Sequence, residues 1–177
     1  MVRAALERRP ELILSVSATT RPPRPGEVDG VHYRFLDPEE FDELIARDEF
    51  LEWAEVFGER YGTLARVVED ALASGGDVLL EVDVQGAGAV RGRVPGSVLV
   101  FLVPPSEEEL ARRLEARGTE TGEALERRLA EARRELAESP GFDHVVVNDQ
   151  VDRAVEELLA IIDATPGVPA DRSERSE

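Results

Sequence analysis

Four short stretches of the chain are apolar runs rich in Val, Ile and Leu: ELILSVSA (11–18), DVLLEVDV (77–84), SVLVFLV (97–103) and HVVVND (144–149). Runs of Val, Ile and Leu without strict alternation suit strands buried on both faces of a parallel sheet. Between them, apolar positions recur at helical spacing. TLARVVEDALASGG (63–76) ends on a glycine pair, SEEELARRLEAR (106–117) opens on Ser106 and glutamates, and VDRAVEELLAII (151–162) follows Asp149. The opening MVRAALERRP is also helical in period. This alternation of strands and helices predicts an α/β fold with right-handed crossovers.

The rhythm breaks over 18–62, where PPRPGEVDG, a predicted helix PEEFDELIAR (38–47) and the aromatics Phe35, Phe50, Trp53 and Phe57 suggest an inserted subdomain. The segment TGEALERRLAEARRELAES (121–139) repeats charge at helical spacing and reads as a solvated helix. The end, TPGVPADRSERSE (165–177), is polar and rich in proline, and is expected to be disordered.

Composition narrows the chemistry. With 177 residues, 42% of them hydrophobic, the chain can bury the core of one ordinary domain. It contains no cysteine, which excludes thiol chemistry, iron–sulfur clusters and disulfides. No apolar run approaches the roughly 20 residues that span a bilayer, and the start has no signal-peptide core, so a soluble cytoplasmic protein without a membrane partner is expected. The net charge of −17 argues against a nucleic-acid partner. All 21 basic residues are arginine, so an anionic ligand would be held by local arginine clusters and no phosphate-binding lysine exists in this chain.

In open parallel sheets, ligands bind beyond the carboxyl ends of the strands. Ser17, Thr19, Thr20, Arg21 and Arg24 follow the first apolar run; Glu81, Asp83 and Gln85 end the second. Two arginines three residues apart on a turn could grip one phosphate through bidentate, charge-assisted bonds, or could lie solvated in ordinary ion pairs. Glu52 in FLEWAEV offers a carboxylate beside an aromatic cluster, and Tyr61-Gly62-Thr63 offers a phenol and a hydroxyl at a helix start. A carboxylate can accept paired hydrogen bonds from an N1–H and exocyclic amine edge, which guanine presents and adenine does not. A surface charge is the alternative for Glu52, and packing alone is the expected role of Trp53.

SVSATTRPPRPGEVDGVHYRF, FLEWAEVFGERYGT, LLEVDVQGA, FLVPPS, RGTET and VVVND, in this order and at these separations, resemble guanylate kinase, which transfers a phosphoryl group from ATP to GMP. The resemblance covers about residues 2–163. It implies a three-layer, nucleoside-monophosphate-kinase-like α/β fold of the P-loop class with a parallel core sheet. The implied division is core at 1–17, 76–117 and 138–163, a GMP-binding subdomain at 18–75, a helical lid at 118–137 and a tail at 164–177. By matching position, Arg21, Arg24, Tyr33 and Tyr61 would hold the GMP phosphate. Glu52, Ser17 and Thr63 would read guanine, with Gly62 in the same block, and Glu81 and Asp83 would line the base and metal side. Arg113, Arg117 and Arg128 match catalytic arginines of the lid and its flanks, and Asn148 matches a position near the base of the ATP donor. Mg²⁺ would accompany ATP.

The family's opening strand and GxxxxGK[ST] loop have no counterpart in these 177 residues. In such a loop, backbone N–H groups cradle the donor phosphates, lysine offsets charge at the β/γ oxygens and Ser/Thr meets Mg²⁺. Two expectations arise: a guanylate kinase whose gene extends upstream of this chain, or a non-catalytic module binding GMP or a phosphopeptide. For either, these 177 residues should bind GMP and be inactive or severely impaired with ATP.

Overall fold

The computed structural model describes residues 1–116 and 122–165. They divide into two compact units, 9–97 and a second made of 1–8 with 98–165. No described helix is long and apolar enough to cross a membrane.

In the unit 9–97, the run 11–18 forms two short strands, β1 (Ile13–Leu14) and β2 (Ala18–Thr19). Strand β3 (Arg34–Phe35) and helix α1 (Pro38–Ala46) come next. Pro38 sits in the first turn of α1, and Asp37 and Glu40 form a reciprocal capping box. Strands β4 (Phe50–Val56) and β5 (Glu59–Leu64) make an antiparallel hairpin. Its loop is Phe57–Gly58, both with positive φ, as the right-handed twist of a two-residue hairpin demands. The order of the mixed sheet is β3-β2-β5-β4, and these strands with α1 all fall within 18–75.

Helix α2 (Ala65–Ala73), strand β6 (Val78–Leu79) and helix α3 (Val84–Arg93) complete the unit. Strands β1 and β6 pair in parallel, as the apolar runs predicted. Helix α3 lay outside the sequence expectation because VQGAGAVRGR carries three glycines. Asp83 compensates at the N-terminus, its Oδ1 accepting from Gly86 N at 2.7 Å.

One irregularity in β4 decides which way Glu52 points. Phe50 pairs with Leu64 but Glu52 pairs with Thr63, so Leu51 is the extra residue of a β-bulge. Phe50 packs with Ala18, Phe41 and Leu64, and Trp53 meets Phe41 edge-on, on the α1 side of the sheet. Leu51 packs with Val68 and with Val90 of α3, and Glu52 also faces α3. Strict alternation would have put Glu52 on the same face as Phe50. Gly62 is required beside it, because a Cβ there would lie 2.8 Å from the Phe50 ring and 3.0 Å from the Glu52 carbonyl.

The other unit opens with the N-terminal helix Val2–Arg8 and contains β7 (Val100–Val103), α4 (Glu107–Ala116), α5 (Glu123–Ala137), a 3₁₀ turn at Ser139–Gly141, β8 (His144–Val147) and α6 (Val151–Ala164). Strands β7 and β8 pair in parallel from Val100–His144 to Val103–Val147. Ala5, Ala154, Val155 and Leu158 are buried, and Arg8 is paired with Asp152. Glu107 and Arg133 pair between α4 and α5. Arg117, the first residues of the expected lid and the tail from 166 onward lie outside the described residues.

Phe41 is wholly buried, stacks on Phe50 at 4.4 Å between ring centres and carries the Arg60 guanidinium at 5.0 Å. Phe41→Ala should cost about 3–5 kcal/mol in urea unfolding. A loss below about 1 kcal/mol would show that this cluster is not the anchor of the mixed sheet.

Candidate functional site

The bulge at Leu51 brings Glu52 under the first turn of α3. Its side chain is buried, and its Oε1 accepts from Thr63 Oγ1 at 2.6 Å. Thr63 is directly opposite on β5 and is itself buried. A Cβ built on Gly86 would fall 2.6 Å from Glu52 Oε2 and 3.1 Å from Asp83 Oδ1, so two carboxylates converge on this glycine. Burial raises the Glu52 pKa first. The Thr63 hydroxyl opposes that shift and the Asp83 charge reinforces it. Two acceptors held together in a sheltered place suit a ligand edge with adjacent N–H donors.

A second cluster lies around the β2–β3 connection. The Arg21 guanidinium donates through Nη1 to Glu27 Oε2 at 3.0 Å and through Nη2 to Glu27 Oε1 at 2.9 Å. Glu27 Oε2 also accepts from Arg24 N at 2.6 Å. The Arg21 bond, then the Arg24 amide, hold the Glu27 carboxyl down at about 2, and Arg21 is raised chiefly by the same pair. Arg21 lies 5.3 Å from the centre of the Tyr33 ring, and Tyr33 stands edge-on to Tyr61 at 6.0 Å. Burial is the largest cause of the raised Tyr33 pKa, with Tyr61 and Glu81 adding to it. The side chain of Arg24 is exposed, and its charge adds to the lowering of the Glu27 carboxyl.

The sequence-predicted residues thus fall into groups. Glu52, Thr63 and Asp83 come together at α3; Arg21, Tyr33 and Tyr61 come together at the β2–β3 connection, with Arg24 on the same loop. Ser17 precedes β2 and its carbonyl accepts from Arg34 N, while Glu81 is exposed ahead of the α3 cap. Gly62 is explained by its contact with Phe50. In the other unit, Arg113 on α4 donates through Nε to Glu109 Oε1 at 2.6 Å and through Nη2 to the Asn148 carbonyl at 2.9 Å. Arg128 lies on α5, half-buried. Arg117 is outside the described residues.

Two functional candidates escaped the sequence reading, Glu27 and Gly86. Glu27 is separated from Arg24 by Pro-Gly, a turn that folds its carboxylate back onto both arginines, and this spacing was a usable signal. Gly86 comes three residues after the Asp83 cap, which marks the first turn of a helix, but nothing local announces that Glu52 lies against it.

A family model described as guanylate kinase matches residues 3–165. The guanylate kinase of Thermobifida fusca is 56% identical over 164 residues, which is 93% of this chain and 84% of the relative. That of Nocardia farcinica is 56% identical over 167 residues, 93% of this chain and 86% of the relative. A crystal structure of guanylate kinase from Anaplasma phagocytophilum superposes with a TM-score of 0.80 at 34% identity, covering 96% of this chain and 82% of that one.

A carboxyl group whose pKa is raised by burial is a burden when charged. The folded protein holds the Glu52 proton to higher pH than the unfolded chain does, so its stability falls as pH rises through that interval. Glu52→Gln should therefore melt above the parent at neutral pH, and the gap should narrow as pH falls toward the ordinary glutamate range and close at about pH 3, where the carboxyl is protonated in both states. A parent that melts as high as the variant at neutral pH would show that the carboxylate is not strained.

Proposed function

The chain belongs to the guanylate kinase family, and from that premise we propose that the pocket at Glu52, Thr63 and Asp83 takes the guanine of GMP while Arg21, Arg24, Tyr33 and Tyr61 take its phosphate. The family reaction is phosphoryl transfer from ATP to GMP, yielding GDP and ADP. The observation that carries the assignment is the Glu52 carboxylate, buried at a cost beside Asp83, with the Thr63 hydroxyl and backbone easing it in part. Guanine N1–H and its exocyclic amine are donors that an acidic pair can accept. Adenine would turn a lone pair toward the same oxygens. Ser17, Gly62 and Glu81 are assigned to the rim of this pocket, inside a GMP-binding subdomain at 18–75.

At the phosphate end, the donor fork of Arg21 is filled by Glu27, whereas the Arg24 side chain is exposed and acts on the same carboxylate through its charge. An arriving dianion would meet Arg24 directly and exchange for, or join, Glu27 at Arg21. The hydroxyls of Tyr33 and Tyr61 would complete the shell.

Arg113 beside Asn148 supports the ATP side of the reaction, with Arg117 and Arg128 as further arginines of the lid at 118–137 and its flanks. Mg²⁺ would enter with ATP. Among the described residues no group of three His, Asp or Glu could cage a metal, so the ion's ligands would come mainly from phosphate oxygens and water. The 177 residues hold no GxxxxGK[ST] sequence and no lysine to answer charge at the β/γ oxygens. The acidic chain is not assigned a nucleic-acid or membrane partner, and the cytoplasm is the compartment that suits its substrates.

Arg24→Ala should weaken GMP binding at least about tenfold while leaving guanosine nearly unchanged, since a charge-assisted bond to a phosphate is worth about 1.5–3 kcal/mol. Arg24→Lys should recover only part, because it restores charge without the fork. Equal losses for GMP and guanosine in calorimetric titration would overturn the phosphate assignment.

The 177-residue polypeptide, mixed with GMP and Mg·ATP in a coupled assay, should form no ADP above background although it binds GMP. Turnover of roughly 1–100 s⁻¹ would mean that these residues suffice to hold the donor. Binding of a phosphopeptide in place of GMP would favour a non-catalytic module instead.

A further inference from the structure

We propose that Gly86 is a positioning residue for base selection: its missing side chain is the slot in which the Glu52 carboxylate sits. The proposal rests on the assignment of Glu52 as the group that reads guanine. Gly86 is buried in the first turn of α3 with an ordinary helical φ, so its backbone does not call for glycine and alanine would be the better helix former. What excludes a side chain is space. A Cβ would lie 2.6 Å from Glu52 Oε2, inside any permitted contact, and 3.1 Å from both Asp83 Oδ1 and Val82 Cβ.

The carboxylate is poorly placed to yield without losing its geometry. Its Oε1 is bonded to Thr63, which is 1% exposed, and Asp83 is fixed by the same Gly86 N–H that it caps. A methyl group at position 86 must therefore rotate Glu52 away from the place where it meets a ligand. The other helical glycines differ. A Cβ on Gly88 or Gly92 would meet nothing within 4 Å, so the requirement is local to Gly86 and not a property of a glycine-rich helix.

The test is calorimetric titration of the full chain with GMP, AMP and ribose 5-phosphate. Gly86→Ala should weaken GMP binding by about tenfold or more, narrow the GMP/AMP ratio by the same factor and leave ribose 5-phosphate unchanged. Gly88→Ala should change none of these. In a Glu52→Ala background, Gly86→Ala should have no further effect on GMP, because the group it displaces is gone. If Gly86→Ala fails to fold but the double variant folds, the clash with Glu52 is confirmed by rescue; if both fail, the slot proposal is overturned. GMP affinity within about twofold of the parent, or an equal loss for ribose 5-phosphate, would also overturn it. Glu52→Gln separates the two claims. An unchanged GMP/AMP ratio in that variant removes the premise about guanine, whereas a changed ratio with a silent Gly86→Ala removes only the slot.

Discussion

A buried carboxylate must be supplied with hydrogen bonds or with a ligand, and Glu52 organises the unit 9–97 around that requirement. The Leu51 bulge turns Glu52 away from the aromatic face, the β4–β5 hairpin sets Thr63 directly opposite, and the Asp83 cap brings the start of α3 over it. Each feature is modest alone. Together they hold an acid whose pKa is raised by burial and by a second carboxylate, an arrangement that costs stability.

The proposed phosphate end poses the opposite problem. To receive an anion there, a chain of net charge −17 would have to overcome a field of that sign at long range. Arg21 and Arg24 create a local exception on a loop stiffened by Pro22, Pro23 and Pro25. Glu27 neutralises Arg21 through a bidentate pair while tying down the Arg24 backbone, so the fork is held in a fixed orientation. Its carboxylate presents oxygens to Arg21 much as a phosphate would. Arg113 shows the same pattern in the other unit, pre-set by Glu109 and by the Asn148 carbonyl.

Much of the scaffold was legible because its signals are local. Helix α1 announces itself by Asp37, Pro38 and Glu40, and the parallel pairs β1–β6 and β7–β8 lie inside the runs rich in Val, Ile and Leu. The strands are shorter than those runs, since hydrophobicity marks burial while pairing also needs a partner in register. Helix α3 was missed because its glycines score against a helix, and its stability comes from the Asp83 cap and from Val90 packed on Leu51 and Val68. The bulge was missed because FLEWAEV carries no glycine or proline to mark it.

The residue types alone determined an α/β chain without thiol chemistry, with arginine as its sole strong cation, and with ordered blocks that point to guanylate kinase. They also singled out Glu52, Arg21 and Arg24, because carboxylates and guanidinium groups carry their hydrogen-bonding chemistry wherever they are placed. Which face Glu52 takes, which oxygen Thr63 satisfies, why position 86 excludes a side chain, and that Glu27 closes on Arg21 were decided by tertiary structure. The reason is geometric: each depends on atoms brought within about 3 Å by a strand register, a bulge or a turn, and no local periodicity encodes distances between residues remote in the chain.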